Sequence, residues 1–345
     1  MEVSYTKKHS GRRAVAMKSR RLALASLVVI LGLSLVLAGP TNAAKKKVGD
    51  YPSRPITLVI AYGVGGGADT FSRMLTPFVT QRSRVPVNVL NVTGAGGENA
   101  VTHVANQPAD GYTLLLVALD HAQHEAYRKV KHPILDHFIL VCRLVEEYYG
   151  AWVRSDSQFK TLNDLITYAK AHPGEVKIAG HSAGGTTEIS CHQFQYVTGT
   201  KLNYIPFGVA KANASLLGGH GDVTFQKTAP MLSLVKAGKV RGLAVGGKQR
   251  TLPDVPTFRE LGYEIDLPVW RGIAVRKETP AERIKYLQEL FDEAIQDSTY
   301  QVIAKTNFFS LQYLKTDEFV EFFKSEREAY QELFKAIGWG EKKKK

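Results

Sequence analysis

The sequence predicts an α/β protein of two units, each with a mainly parallel β-sheet flanked by helices. Short apolar runs rich in β-branched residues alternate with amphipathic stretches along most of the chain, an order typical of βαβ connections. Two of these runs lead directly into glycine-rich loops, and a helical pattern follows each loop. A chain of 345 residues is long enough to form two compact units.

The first glycine loop lies in the segment 56–73, which has the sequence ITLVIAYGVGGGADTFSR. Residues 56–61 have the length and β-branched content of a buried parallel strand. Asp69 and Thr70 supply N-cap chemistry for an amphipathic helix over 69–82. A glycine loop between a strand and a helix N-terminus leaves backbone N–H groups unpaired beside the positive end of the helix dipole. The segment therefore predicts an anion-binding loop.

Several interpretations of this loop can be compared. The spacing Gly63-x-Gly65-x-x-Ala68 also fits a dinucleotide fingerprint, which needs an acidic residue at the end of the second strand. The predicted second strand, 85–92, contains no carboxylate, and no Lys-Ser or Lys-Thr pair closes the loop as it would in a phosphate-binding P-loop. A tight turn without a ligand is the alternative that stays open. We favour a small carboxylate as the bound anion.

The remaining elements follow the same alternation. The first unit continues with a strand over 85–92, a helix over 97–107, a strand over 112–118 and an extended, hydrophobic crossover over 138–153. The second unit begins near residue 154, with helices over 162–171, 186–198, 210–217 and 229–236, and strands over 176–179, 202–206, 222–226 and 240–245. The Pro-rich segment 252–268 then returns the chain to two amphipathic helices. The last of these, 316–337, carries aromatic residues that we expect in the core.

The second glycine loop, 178–187, again leads from a strand into a helix that Thr186 or Thr187 can cap. Two anion-binding loops in separate units indicate a cleft in which each unit holds one side of the same small ligand. Closing such a cleft removes water from the ligand and strengthens each hydrogen bond. This pattern favours a two-lobed binding protein.

Residues 1–44 are predicted to form an export signal outside the fold. A basic stretch ends at Arg21, the apolar run 22–38 follows, and small residues suitable for cleavage come next. A membrane anchor is the alternative, but the run is about 17 residues, which is short for a membrane span. A lipoprotein signal is disfavoured because Pro40 occupies the position of the lipidated Cys. We therefore expect a protein exported to the periplasm.

The charge distribution argues against a nucleic-acid-binding surface. The net charge of +13 comes from residues 1–44 and from the lysines of 45–47 and 342–345, so the body of the chain is about neutral. Cys142 and Cys191 lie in apolar or helical surroundings and are expected to be buried free thiols. No cluster of His, Cys, Asp and Glu has metal-ligand spacing. We expect no nucleic-acid partner, no metal and no cofactor.

Five motifs carry a family resemblance, in the order YPSRPI, YGVGGGADTFSR, NVTGAGGENAVTHVANQPADGYTLLL, KAGKVRGLAV and LPDVPTFRELGY. Across 51–338 the chain resembles the periplasmic substrate-binding proteins of tripartite tricarboxylate transporters, the TctC or Bug family. The resemblance implies a periplasmic-binding-protein fold of the Venus flytrap type. It implies a discontinuous first domain of 45–153 plus 269–345 and a second domain of 154–268.

The resemblance also implies a function and a set of ligand contacts. The protein would capture a small organic acid, either a di- or tricarboxylate or an aromatic acid, and deliver it to membrane permease subunits of the same transporter type. The proximal carboxylate would bind the loop of Gly65, Gly66, Gly67, Ala68 and Asp69. The opposite loop would clamp it with His181, Ser182, Ala183, Gly184, Gly185, Thr186 and Thr187. The segment 118–122, which contains Asp120 and His121, would also face the cleft.

Several of these side chains have more than one interpretation. Lys227 and Arg271 depart from the family's usual residues, and they either pair with a distal carboxylate of the ligand or serve as structural charges. Asp69 contacts the ligand, orients the loop or caps the helix. Asp120 and His121, which also depart from the family pattern, recognise an amine or hydroxyl of the ligand or are exposed polar loop residues. The departures leave the identity of the ligand open.

An enzyme and a sensor are the alternative functions. His181, Ser182 and Asp222 resemble a hydrolase set, but no Gly-x-Ser-x-Gly motif surrounds Ser182, and adjacent His and Ser residues on a loop seldom meet as base and nucleophile. His181 is also a group that can respond to pH. In a sensor, the loaded lobes would contact a membrane signalling protein instead of a permease. We expect a monomeric binding protein without catalytic activity.

Overall fold

The computed structural model describes residues 49–208 and 211–339, which belong to one compact unit. The predicted export signal and the lysine-rich ends lie outside the described residues. In the part of the chain that the structure describes, no helix is both long enough and apolar enough to cross a membrane.

Ten strands and eleven α-helices make up the described residues. The strands are β1 Ile56–Ile60, β2 Val87–Asn91, β3 Thr113–Ala118, β4 Phe138–Arg154, β5 Lys177–Gly180, β6 Asn203–Pro206, β7 Val223–Lys227, β8 Val240–Val245, β9 Pro268–Arg276 and β10 Leu311–Lys315. The helices are α1 Gly67–Ser83, α2 Glu98–Ala105, α3 Leu119–Tyr127, α4 Ile134–His137, α5 Leu162–Ala171, α6 Thr186–Thr198, α7 Ala212–Leu217, α8 Thr228–Lys236, α9 Ala281–Ile295, α10 Ser298–Thr306 and α11 Thr316–Ile337. A short 3₁₀ helix, Ala95–Gly97, precedes α2.

The strands form one sheet with a parallel group toward each end. Hydrogen-bonded neighbours follow the order β2-β1-β3-β9-β4-β7-β5-β6. β1 pairs in parallel with β2 and β3, and β5 pairs in parallel with β6 and β7. The 17-residue strand β4 pairs antiparallel with β9 and β10 along its first part and with β7 and β8 along its last part. We call β1–β3, β9, β10 and the first part of β4 the first half, and the remaining strands the second half.

This architecture confirms the predicted α/β fold of two halves. Helices α5 and α6 begin and end at the predicted residues. β9, β10, α3, α4 and α10 were not predicted, and the sheet contains more antiparallel pairing than the sequence pattern indicated. The antiparallel ladders join strands far apart in the sequence, which local patterns do not report. The domain limits of 45–153 plus 269–345 and 154–268 stay a prediction.

Apolar side chains cover both faces of the first half. Leu58 and Leu114 project into one buried cluster, whereas their chain neighbours Val59 and Leu115 project into another. Burial on both faces explains why these strands are continuous apolar runs. The aromatic residues of α11 are buried as predicted, and the two cysteines are buried and unpaired, also as predicted.

A half-buried carboxyl group of α11 gives the fold a predictable pH dependence. Trp270 Nε1 donates to Glu326 Oε2 at 3.2 Å, and burial raises the pKa of Glu326 to about 7. Between pH 4.5 and 7 the folded protein therefore keeps a proton that the unfolded chain has lost. Stability falls as the pH rises through this range, by at most about 3 kcal/mol.

We expect Glu326→Gln to remove this decline, because an amide does not titrate. The measurement is the free energy of unfolding in urea at pH 4.5 and pH 8 for both proteins. Glu328→Gln, at an exposed position of the same helix, is the control and should follow the unmodified protein. Parallel pH profiles for Glu326→Gln and the unmodified protein would contradict the expectation.

Candidate functional site

One buried carboxylate holds the first glycine loop in shape. Asp69 accepts hydrogen bonds from the Gly65 amide and from Arg73 Nε, each at 2.9 Å. Although burial opposes ionisation, these bonds and one from a nearby asparagine lower the pKa of Asp69 to about 2. Gly65 has a φ of +78°, which favours glycine, and the Gly66 amide donates to Gly63 O at 3.2 Å. Asp69 therefore orients the loop, which is one of its three interpretations.

The second glycine loop has the same internal hydrogen bonds. Glu188 Oε2 accepts from the Gly184 amide at 2.6 Å, and the Gly185 amide donates to Ser182 O at 3.3 Å. Gly184 has a φ of +71°, close to the value for Gly65. In each loop, a carboxylate four residues after the left-handed glycine holds its amide, and a helix begins two residues after that glycine. This equivalence of the two loops was not predicted from the sequence.

Each loop presents the first amides of a helix. Because α1 begins at Gly67 and α6 begins at Thr186, the amides of Gly67, Ala68, Thr186 and Thr187 have no acceptor within their own helix. They lie at the positive ends of the two helix dipoles. A carboxylate or another small anion is the ligand that such donors stabilise.

A buried ion cluster lies against the start of α1. Glu147 Oε2 accepts hydrogen bonds from Lys227 Nζ at 3.1 Å and from Arg271 Nη1 at 2.5 Å. A Cβ atom placed on Gly67 would lie 2.9 Å from Lys227 Nζ and 3.4 Å from Arg271 Nη2. One carboxylate faces two cations, so the cluster has a net positive charge beside the positive end of a helix. An anion at Gly67 would be attracted by the two cations and by the positive end of the helix.

The charges in this cluster depend on one another. Burial alone would raise the pKa of Glu147, but the charges of Lys227 and Arg271 hold that pKa below its usual value. Burial lowers the pKa of Lys227, against the attraction of Glu147. Both cations bind a protein carboxylate and also lie near Gly67. Their two interpretations, as structural charges and as ligand contacts, are therefore compatible.

Two tyrosines and Asp120 lie beside the ion cluster. The Tyr62 hydroxyl donates to Asp120 Oδ1. Ala118 of β3, two residues before Asp120, pairs with Arg271 of β9, and Tyr149 of β4 pairs with Lys227 of β7. Burial raises the pKa of Tyr149 well above its usual value. Asp120 and the ion cluster therefore occupy one neighbourhood.

Asp120 and His121 are not exposed loop residues, so that interpretation was wrong. They lie in the first turn of α3, and their side chains are 22% and 6% exposed. The Ala118 amide donates to His121 Nδ1 at 3.1 Å, so His121 caps the helix. The sequence did not indicate the burial because α3 begins immediately after β3, without an intervening loop.

Side chains of the second loop contact the neighbouring strands. His181 Nε2 lies 2.9 Å from Gln226 Nε2, and burial, together with the charge of Lys227, lowers the pKa of His181. This shift favours a neutral imidazole at neutral pH. Thr187 Oγ1 lies 2.8 Å from Tyr204 Oη. The loop is therefore fixed from its own half of the sheet.

Helix α6 also brings the second loop against the first half. Thr186 Oγ1 donates to Gln123 Oε1 of α3 at 3.4 Å. Ile189 belongs to an apolar cluster of the first half, and the His192 ring centre lies 4.9 Å from that of Trp339. Helix α6, which carries the second glycine loop at its start, thus contacts elements of both halves.

The hydrolase set does not assemble. Asp222 Oδ2 accepts a hydrogen bond from the Lys177 amide at 2.8 Å, so the Asp222 side chain is bound to the start of β5. Ser182 and Ala183 are exposed, and the Ser182 carbonyl supports the turn of its own loop. Within 49–208 and 211–339, no group of three or more His, Cys, Asp and Glu residues is positioned to hold a metal ion.

The sequence analysis missed Glu147, which lies within the segment interpreted as a hydrophobic crossover. A signal was present, because the pair Glu146-Glu147 interrupts a largely apolar run. Buried carboxylates require partners, so the pair indicated an ionic site. Tyr62 and Tyr149 were also missed, and an aromatic residue next to a strand carries no comparable signal.

The fold is that of a two-lobed solute-binding receptor, with a glycine loop in each half. The family model described as tripartite tricarboxylate transporter family receptor matches residues 72–339. The chain belongs to this family, which is a family of solute-binding receptors and not of enzymes. The family predicted from the five motifs is therefore confirmed.

Individual relatives support the same conclusion. Protein BugT of Bordetella pertussis is 30% identical over 277 residues, which cover 78% of this chain and 84% of that protein. A TctC solute-binding protein from Polaromonas has 28% identity and a TM-score of 0.72, over 83% of this chain and 99% of the other. The periplasmic binding protein BugD has 26% identity and a TM-score of 0.72, over 84% of this chain and 99% of the other.

Proposed function

We propose that this protein captures a small organic carboxylate between its two glycine loops and delivers it to a membrane permease of the tripartite tricarboxylate type. It acts as an exported monomer in the periplasm. The main supporting observation is that two equivalent loops present unpaired helix amides, and that Lys227 and Arg271 lie against the first loop. This combination of donors and net positive charge favours a carboxylate over a neutral solute.

The energetics of such a site are sufficient for capture. A hydrogen bond to a charged group contributes about 1.5–3 kcal/mol, so four amides offset the cost of ordering the ligand and the loops. The remaining free energy corresponds to about micromolar affinity. The cations add attraction that falls as the salt concentration rises.

The first test is a thermal-shift screen of the chain from about Lys45 against organic acids, aromatic acids and amino acids. A ligand that binds only the folded state raises the apparent stability by RT ln(1 + [L]/Kd). A shift of several degrees with one class of acid would support the proposal. If no acid gives a shift, and mass spectrometry of the denatured protein finds no carboxylate retained from the cell, the proposal is wrong.

We expect Gly67→Val to weaken the binding of any such acid by about 100-fold or more. A branched side chain there would displace Lys227 Nζ and cover the Gly67 amide, because the added Cβ lies 2.9 Å from that nitrogen. Isothermal titration measures the change. Gly63→Val is the matched control, because Gly63 has open space around it and lacks a positive φ. Equal affinity in both variants would place the ligand elsewhere.

A further inference from the structure

Asp120 lies at the same edge of the sheet as the first glycine loop. β1 and β3 are parallel neighbours, so the residues that follow them meet at one edge. Tyr62 follows β1 and donates its hydroxyl hydrogen to Asp120, which follows β3. The Asp120 side chain is 22% exposed, so one part of this carboxylate remains accessible.

The two charged groups of the site have opposite signs. The cluster of Glu147, Lys227 and Arg271 is net positive and lies against Gly67. Asp120 is negative, and among the ion pairs of the described residues it has no Lys or Arg partner. The nearest titratable groups of its own helix are imidazoles, with His121 Nδ1 at 3.9 Å from Oδ1 and His124 one turn further along.

The pairing of β3 with β9 brings the two charges together. Ala118 of β3 pairs with Arg271 of β9, and Asp120 follows Ala118 by two residues, so a small molecule at this edge of the sheet would lie between a positive and a negative end. A ligand carboxylate would occupy the positive end, at the helix amides. A second carboxylate would then face Asp120 and be repelled, whereas an ammonium group would form an ion pair.

We propose that the ligand carries a protonated amine in addition to its carboxylate, and that Asp120 binds this amine. The ligand is therefore of the amino-acid class and not a di- or tricarboxylate. This inference rests on the proposed capture of a carboxylate and adds the chemistry of the other end. It makes Asp120 the residue that determines specificity.

The test uses acids matched in length that differ only in the second charged group or in its position along the chain. For each chain of three to six carbons, the unbranched monocarboxylate, the ω-amino acid and the α,ω-dicarboxylate are titrated by calorimetry, together with the α-amino acid of the same length. At the best length we expect an amino acid to bind at least about 10-fold more tightly than the monocarboxylate. The dicarboxylate should bind more weakly than both.

Two variants distinguish recognition of the amine from a structural role. Asp120→Asn should abolish the preference for the amino acid and improve the binding of the dicarboxylate, whereas loss of a structural contact would weaken all the ligands equally. Tyr62→Phe removes the hydroxyl that contacts Asp120 but keeps the negative charge of Asp120. The ranking of the ligands should therefore persist, even if the absolute affinities change.

The outcomes separate this inference from the proposed function. A dicarboxylate that binds the unmodified protein more tightly than the amino acids, or an unchanged ranking in Asp120→Asn, overturns the role of Asp120 and leaves carboxylate capture intact. If none of the acids binds, both proposals fail. Loss of the ranking in Asp120→Asn, with retention in Tyr62→Phe, is the result expected.

Discussion

Replacing Glu147 with Gln is expected to lower the free energy of unfolding by about 3–5 kcal/mol in the absence of ligand. The side chains of Lys227 and Arg271 are 14% and 6% exposed, and both bind the same oxygen of Glu147. The substitution would leave two cations buried together beside the positive end of α1. Burial limits their solvation there, so their repulsion would be only partly screened by water.

A double-mutant cycle tests the electrostatic origin of this loss. Lys227→Met alone leaves Glu147 paired with Arg271, and in the double variant only Arg271 remains charged. We expect the double variant to be more stable than the sum of the single changes predicts, by about 1–3 kcal/mol. Urea unfolding measures all four proteins. Additive effects would show that the three side chains do not act as one cluster.

The Glu147→Gln variant also tests the link between the cluster and the ligand. A bound carboxylate would supply the negative charge that Glu147→Gln removes, so a carboxylate ligand should stabilise this variant more than it stabilises the unmodified protein. A neutral amide of the same shape should give no such gain. Equal stabilisation of both proteins by the carboxylate would contradict a ligand position near Lys227 and Arg271.

The parts of this site that follow local rules were predictable from the sequence. Both glycine loops stand between a strand and a helix, and α6 begins at the predicted Thr186. The requirement for a left-handed glycine and for free helix amides is set within a few residues of chain. For the same reason, α5 could be predicted from its capping box, in which Asp164 and Thr161 exchange hydrogen bonds.

The parts that depend on distant pairing were not predictable. Glu147 meets Lys227 and Arg271 only because β4 lies between β7 and β9, and these contacts join residues 80 and 124 positions apart. β10 reaches β4 from near the end of the described chain. The position of Asp120 beside Tyr62 likewise follows from the parallel pairing of β1 with β3. A single sequence, considered without an alignment of its relatives, shows no pattern that encodes these contacts.

Replacing Gly272 with Val is expected to cost more than about 4 kcal/mol, enough to prevent folding at 37 °C. Gly272 follows Arg271 in β9, and the ring of Phe319 from α11 occupies the space where a side chain would begin. A Cβ atom there would also lie 2.5 Å from the carbonyl oxygen of Cys142, which cannot move without breaking the ladder between β4 and β9. A clash with backbone atoms cannot be relieved by a small movement of side chains, so the overpacking strains the sheet itself.

Two further variants locate the cause of this effect. Gly272→Ala should also destabilise the protein, because the overlap begins at Cβ, and adding Phe319→Ala should restore only part of the loss, since the Cys142 carbonyl remains in place. Gly63→Ala, at an open position, should leave the free energy of unfolding within about 0.5 kcal/mol of the unmodified value. A stable Gly272→Val protein would mean that α11 can withdraw from β9.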